Sequence, residues 1–367
     1  MSRSIEERKQ LRRNCTHLLN GFAEPRPAQL FAQMAAWCET HDVDHDIYGD
    51  GALISDFENK VATLLGKPAA AFMPSGVMAQ LTAVRIWTER QHTARFGLHV
   101  TSHLEVHEEQ AYQALLGLHG VPVGQRERPI VADDLKAVAE PLGCLIVELP
   151  MRELGGQLPD WDALVALKAA AHARGTPLHM DGARLWESRA FYQRSYTEIA
   201  EGFDSVYVSV YKGIGGIAGA LLVGDEAFIA QAKVWRRRMG GTLVHQSPMI
   251  VSAAMRFDER LALLPACYER TVRLAEGLNR IDGIRTEPRA PQANMLHIAF
   301  DADPVALLDA RDEIAQQDHL WLIASARRTD VPGWSRTELY VGDTLVSMSD
   351  EQVMPLFERL IRLAKAR

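Results

Sequence analysis

Two spacings of apolar residues alternate along this chain, and the alternation predicts its fold class. Ser55 to Leu65 carries Phe57, Val61, Leu64 and Leu65 on one helical face and ends at Gly66-Lys67-Pro68, as helices do. Ala69 to Met73 is then a short strand, and Pro74-Ser75-Gly76-Val77 turns it into a helix reaching about Arg90. Further strands are expected at His99-Val100, at the edge-like Val121-Pro122-Val123, and at Gly143 to Leu149. Three more follow at Leu178 to Asp181, Asp204 to Tyr211 and Ile217 to Gly224. Helices beginning near His107, over Asp133 to Glu140 and over Asp160 to Arg174 fall between them. Strands alternating with helices predict an α/β fold with a mostly parallel sheet. A long helix from about Gln246 to Leu264 is followed by another helical run from Pro265 to Arg280.

Beyond about Leu261 the rhythm changes. Strands at Met295 to Phe300, Trp321 to Ala324 and Glu338 to Val341 surround a helix at Pro304 to Gln317, and Ser349-Asp350-Glu351-Gln352 is a capping box for a last helix. Before the first strand lies an arm with a helix from Pro27 to about Thr40, closed by the turn residues Tyr48-Gly49-Asp50-Gly51. The expected plan is therefore an N-terminal arm (residues 1–48), a large domain (49–260) and a small α+β domain (261–367).

Composition narrows the function classes. The 367 residues carry a net charge of −7, which argues against a nucleic-acid partner. Four scattered cysteines have no zinc spacing, and Cys144, in an apolar run, reads as a small core residue. The thirteen histidines form no helical metal motif, so no metal is expected. Met1-Ser2-Arg3-Ser4 opens a charged segment unlike a secretory leader, and no apolar run reaches the ~20 residues that span a bilayer. The expectation is a cytoplasmic protein without a membrane partner.

The chemistry gathers between Leu178 and Ala220. Leu178-His179-Met180-Asp181 is a buried strand ending in an acid, and the next strand delivers Lys212 to the turn Gly213-Ile214-Gly215-Gly216. The carboxyl ends of strands in an open α/β sheet are where ligands bind. Pyridoxal phosphate needs this pair: an amine for its aldehyde, and an acid beside its pyridine nitrogen. Each residue alone is ordinary, a surface lysine or a strand-end cap. Their joint spacing is not.

Asp181-Gly182-Ala183-Arg184 and Tyr211-Lys212-Gly213-Ile214-Gly215 resemble the motifs of the threonine aldolase family, the β-eliminating-lyase group of fold-type-I pyridoxal phosphate enzymes. The resemblance runs from about Asp46 to Glu259. It implies a mostly parallel seven-stranded sheet with a smaller C-terminal α+β domain. It also implies a Lys212 Schiff base, Asp181 on the pyridine nitrogen, and Arg184 on the ring hydroxyl or the substrate carboxylate. Ser75, Gly76 and Val77 match the phosphate loop, with Val77 replacing a threonine, and His103 matches the histidine that lies on the cofactor ring. Trp235 with its following arginines and Met239-Gly240-Gly241 fits the family too, whereas His245 stands where an arginine is usual.

After Glu148 the family has Asn-Thr-His, but this chain reads Leu149-Pro150-Met151-Arg152-Glu153. Arg152 or His107 is then the expected group for the substrate's carboxylate or β-hydroxyl, and Arg336 or the Arg327-Arg328 pair is a further carboxylate candidate. The implied activity is cleavage of a β-hydroxy-α-amino acid of the threonine or allo-threonine type to glycine and an aldehyde. β-Elimination from another amino acid, and a catalytically silent protein of this fold, are the alternatives. The implied assembly is a homodimer or homotetramer, with the Tyr48-Gly49-Asp50 loop reaching toward a neighbouring subunit.

Overall fold

The computed structural model describes residues 3–367, so the first two residues of the charged N-terminus lie outside it. Its contacts divide the chain into two units. The larger holds residues 25–153 and 158–262, and the smaller holds 1–24, 154–157 and 263–367.

The larger unit is built on a seven-stranded sheet. In spatial order its strands are Ala69–Met73, Ala220–Gly224, Ser205–Ser209, Leu178–Gly182, Leu145–Glu148, Arg95–Leu98 and His119–Pro122. Only Ala220–Gly224 runs against the others. The α/β sheet with one reversed strand is the expected fold. Four central strands, Leu145–Val147, Leu178–Gly182, Ser205–Ser209 and Ala220–Gly224, are buried throughout, as strands covered by helices on both faces must be. Among the residues packed on one face are Met73, Val84, Trp87, Phe96, Cys144, Ile146 and Phe228. Burial pushes the Cys144 thiol far up, so it is a core residue rather than a nucleophile.

Strand Ala69–Met73 lies at one edge, and side chains satisfy its outer backbone groups. Glu58 Oε1 accepts from the Phe72 amide at 2.7 Å, and Arg236 Nη1 donates to the Phe72 carbonyl at 2.7 Å. Another strand is thereby hindered from pairing at Phe72. Several expected elements are shorter than their apolar patterns. The helix expected to reach Glu140 is Ala132–Lys136, because Arg174 takes the carbonyls of Leu135, Val138 and Glu140. The strand expected at Asp204 to Tyr211 is Ser205–Ser209, its last carbonyl bonded to the Trp186 indole. The two helical runs expected around Pro265 are one helix, Ser247–Leu278.

The remote carboxylate of Asp46 caps the start of that helix, accepting from the Gln246 and Ser247 amides at 2.7 Å each. Its other oxygen accepts from Gly49 at 3.0 Å, which shapes the Tyr48-Gly49-Asp50 turn. Lys67 and Lys168 donate to the Phe203 and Ile199 carbonyls at 2.5 and 3.0 Å, which assigns both lysines a structural task.

The smaller unit contains an antiparallel sheet ordered Arg327–Arg328, Ser335–Tyr340, Met295–Phe300 and Ile284–Glu287. Helices Pro304–Asp318 and Asp350–Lys365 pack with it, and the Ser349 capping box is present. The strand expected to run to Ala324 stops at Trp321, because Arg311 binds the Ile323 and Ala324 carbonyls.

The expected arm of residues 1–48 is divided between the units. His17–Leu18 pairs with Leu320–Trp321, and Arg8 bonds Asp309 and Asp312, which ties the first part of the chain to the smaller unit. Gly155 and Gly156 belong there too: a Cβ would fall 2.1 Å from the Glu287 carbonyl oxygen at one and 2.6 Å from Met295 Cγ at the other. Among the described residues, no helix is long and apolar enough to cross a membrane.

Candidate functional site

Parallel pairing sets two acids side by side. Glu148 and Asp181 end adjacent strands and are register partners, and Asp181 is in turn the partner of Tyr207 on the next strand. Asp181 is 1% exposed, and its Oδ1 accepts from the Ala183 amide at 3.1 Å. Beyond Tyr207 the strand ends at Ser209, whose hydroxyl accepts from the Lys212 amide at 3.2 Å. The glycine turn then doubles back. Gly216 donates to the Val210 carbonyl at 2.8 Å, and a Cβ on Gly216 would lie only 2.7 Å from that oxygen. A side chain at this position would therefore break the turn that presents Lys212.

Opposing charges meet in this space. Burial and the nearby Arg184 guanidinium lower the Lys212 amine to about 8, against the pull of Asp181, Glu148 and Glu187. Burial pushes the Asp181 carboxyl up, while the Lys212 charge and the Ala183 amide draw it back. Glu148 has the same burial and feels the Asp181 charge as well, and it is pushed up to about 8. The Lys212 charge is the leading influence that lowers Asp181 and the least of those acting on Glu148. Asp181 is therefore the anion and Glu148 keeps its proton.

The phosphate-loop residues stand at the same end of the sheet. Strand Ala69–Met73 is antiparallel to its one neighbour, Ala220–Gly224, so it runs in the same direction as Ser205–Ser209 beyond it, and it leads into helix Gly76–Arg90. The Ser75 hydroxyl caps the helix by accepting from Met78 at 3.2 Å. Gly76 and Val77 are the first residues of a 15-residue helix, so their N–H groups have no intrahelical acceptor and face outward with the positive end of the helix dipole. A Cβ on Gly76 would fall 2.2 Å from the Tyr207 hydroxyl, which ties this loop to the strand carrying Asp181's neighbour.

His103 and Glu108 both act electrostatically on Asp181. The His103 Nδ1 is 2.8 Å from Glu108 Oε1, and its ring centroid is 5.0 Å from that of His107. His107 Nε2 is 2.9 Å from Glu153 Oε1 and 3.4 Å from Arg152 Nη1. The Arg152 amide donates to Glu148 Oε1 at 2.9 Å, which returns the chain of contacts to the two acids. Arg336 is not among these residues. It belongs to the smaller unit, on strand Ser335–Tyr340, 3.7 Å from Glu287.

Glu148, Glu108, Glu153 and Tyr207 were not singled out as site residues from the sequence. A signal existed for Glu148, since it ends a strand as Asp181 does. Glu108 follows His103 by five residues and matches a glutamate of the family pattern, whereas Glu153 and Tyr207 are joined to the site by contacts that no local spacing announces.

This set of residues fits pyridoxal phosphate. A half-buried amine acts on a buried carboxylate, and a glycine-bearing helix start offers two amides for a phosphate. Three buried polar oxygens, Ser102 Oγ, Glu108 Oε2 and Glu148 Oε2, have no hydrogen-bond partner among the described residues, which suits a polar ligand.

The similarities agree with that fit. The beta-eliminating lyase family matches residues 28–301. A solved structure from Listeria monocytogenes, described as a candidate L-allo-threonine aldolase, is 36% identical with a TM-score of 0.89, covering 98% of each chain. A probable low-specificity L-threonine aldolase of Arabidopsis thaliana is 28% identical over 72% of this chain and 77% of its own. The fold extends to a Leishmania major threonine aldolase at 18% identity and a TM-score of 0.72, covering 95% of this chain and 99% of that one. This chain belongs to the beta-eliminating lyase family and is a threonine aldolase-type carbon–carbon lyase that uses pyridoxal phosphate.

Proposed function

We propose that this enzyme splits a β-hydroxy-α-amino acid of the threonine or allo-threonine type into glycine and an aldehyde, with Lys212 as the residue that holds the cofactor. The observation that carries this reading is the convergence at the strand ends of the half-buried Lys212 and Arg184 on the buried Asp181. When bound, pyridoxal phosphate supplies an electron sink conjugated to the substrate's Cα. The residues do the rest. Lys212, with its amine at about 8, is in part an uncharged nucleophile near neutral pH. Asp181 holds positive charge at the ring nitrogen. His103, held by Glu108, would be the residue against the cofactor ring. Arg184 binds an oxygen of the ring or of the substrate, and the Ser75-Gly76-Val77 turn holds the phosphate.

Retro-aldol cleavage needs the β-hydroxyl proton to leave as the Cα–Cβ bond breaks. His107 is the group for that proton, because the Glu153 carboxylate orients its ring. Arg152 stays protonated and so grips the carboxylate instead. His107→Phe is expected to lower kcat by about 10²-fold with KM kept, and Arg152→Ala to raise KM with a smaller change in kcat. Steady-state kinetics on purified variants check both, and unchanged kinetics in either removes that residue from the scheme.

The reaction itself is tested by product. Equal amounts of glycine and aldehyde from L-threonine or L-allo-threonine support cleavage, whereas ammonia with a keto acid makes the enzyme a β-eliminating lyase of another kind.

The active form is proposed to be a homodimer or homotetramer. Helix Pro27–Thr40 carries Leu30, Phe31, Met34 and Trp37, yet none of its residues is buried. Ile47, Tyr48, Leu243 and Val244 are exposed as well, and the Tyr48 amide bonds the Val244 carbonyl at 2.9 Å, which holds the two segments together as one apolar patch. Light scattering under assay conditions should give at least twice the monomer mass, and a fully active monomer contradicts the proposal.

A further inference from the structure

Glu148 has one oxygen occupied and one left over. Its Oε1 accepts from the Arg152 amide at 2.9 Å, while its Oε2 is sealed from solvent and has no partner. A role confined to shaping the following loop would use the first oxygen alone. As Asp181's register partner on a parallel strand, Glu148 directs its side chain to the same face of the sheet. The groups that act on it come from every neighbouring segment: Asp181 from the adjacent strand, Arg184 and Lys212 from the turns beyond, and the Arg152 amide from its own loop.

We propose that Glu148 is a hydrogen-bond donor to the ligand: its Oε2 carries a proton and directs it at an anionic oxygen of the group held between Asp181 and Lys212. That oxygen is either the cofactor's ring oxygen or the substrate's carboxylate. The inference rests on Lys212 and Asp181 as the cofactor's anchors.

Burial and the Asp181 charge keep Glu148 protonated up to about 8, so the donor exists at neutral pH. Two buried carboxylates side by side would repel each other, whereas an acid beside a carboxylate does not. A buried O–H with no acceptor is also a cost to the ligand-free protein, of the kind retained for binding rather than for stability.

Three variants test this. Glu148→Leu removes the donor, Glu148→Gln keeps one in the same shape, and Lys212→Ala reports on the site as a whole. The first measurement is the melting temperature of cofactor-free protein between about pH 5 and pH 8. The other two are the affinity for pyridoxal phosphate without amino acid and the affinity for glycine with cofactor saturating.

A carboxyl raised in the fold weakens the protein progressively as pH rises from the usual carboxylate range to about 8. Glu148→Leu should therefore melt higher than the parent, by a margin that widens over this interval. It should also lose about tenfold in affinity, the size of one lost hydrogen bond to a charged group. Loss toward pyridoxal phosphate identifies the ring oxygen, and loss toward glycine alone identifies the carboxylate.

Glu148→Gln should bind within about twofold of the parent at neutral pH and lack its weakening above pH 8. Glu148 is among the charges that act on Lys212, so the Lys212 titration is measured in each protein before their affinities are compared. Unchanged affinity of Glu148→Leu for both ligands overturns the proposal, as does a lower melting temperature at every pH with Glu148→Gln equally impaired. If Lys212→Ala still reacts with the cofactor to give its visible band, the reading of the site fails instead, whatever Glu148 does.

Discussion

Replacing Lys212 with alanine is expected to abolish the visible absorption of the lysine-bound cofactor and to lower turnover by on the order of 10⁴-fold, since it removes a nucleophile and a proton carrier together. The fold should survive. Lys212 follows a strand whose end is held by the Trp186 indole and the Ser209 hydroxyl, neither of which involves the lysine side chain. Removing a buried amine also removes the cost of keeping it dry, so the melting temperature should not fall. Borohydride reduction followed by peptide mass spectrometry makes the assignment direct: the adduct should sit on the peptide carrying Lys212. Lys67 and Lys168 are the competitors, because burial lowers both amines, Lys168 to about 8. They are tied to the Phe203 and Ile199 carbonyls, away from any paired strand-end acid. An adduct on either would dismantle the site described here.

The second large effect is expected from Asp181→Asn. The change keeps size and removes the charge, leaving a cationic ring nitrogen with a neutral partner inside the protein. Breaking a buried charge pair in this way costs about 3–5 kcal/mol, which corresponds to roughly 10³-fold in turnover when the pair matters most in the transition state. Cofactor affinity should fall far less, because the phosphate turn and Lys212 remain. A further sign separates this role from that of a strand-end cap. The Asp181 charge is one of the two leading causes that lift Glu148, so in the Asn variant the Glu148 carboxyl should titrate lower. Carbon-13 spectra of labelled glutamate measure that shift. Near-normal turnover together with an unmoved Glu148 would make Asp181 a structural residue.

The parts of the site that were legible in the sequence are those made by a single stretch. Asp181 lies at the end of a strand and Lys212 just beyond one, each at a turn, so composition over a few residues exposes them. Two glycines of the Lys212 turn fit the same reading: a Cβ on Gly216 would fall 2.7 Å from the Val210 carbonyl oxygen, and Gly215 has a φ of +80°. What the sequence hid are relations between stretches. Glu148 meets Asp181 through strand register, His107 meets Glu153 across a gap of 46 residues, and Asp46 caps a helix 201 residues on. The lengths of some elements were hidden for the same reason. Arg174 and Arg311 each occupy carbonyls that a longer helix or strand would need, and nothing near those carbonyls in the sequence says so.

The edge strand Ala69–Met73 has a consequence for how the protein is made. Of the seven strands it is the earliest in the chain, and its one neighbour in the sheet, Ala220–Gly224, is the last. During synthesis the apolar segment Ala-Ala-Ala-Phe-Met therefore leaves the ribosome long before its partner exists. The Arg236 clamp on Phe72 arrives later still. Pairing between distant segments is slow, and an apolar strand without a partner is prone to associate with other chains. The phosphate turn, fixed to the end of this strand, takes its final shape only after the Lys212 turn has been synthesised. Cofactor capture thus waits until the chain has passed Gly224 of its 367 residues, and overexpression at high temperature should favour aggregates nucleated at this segment.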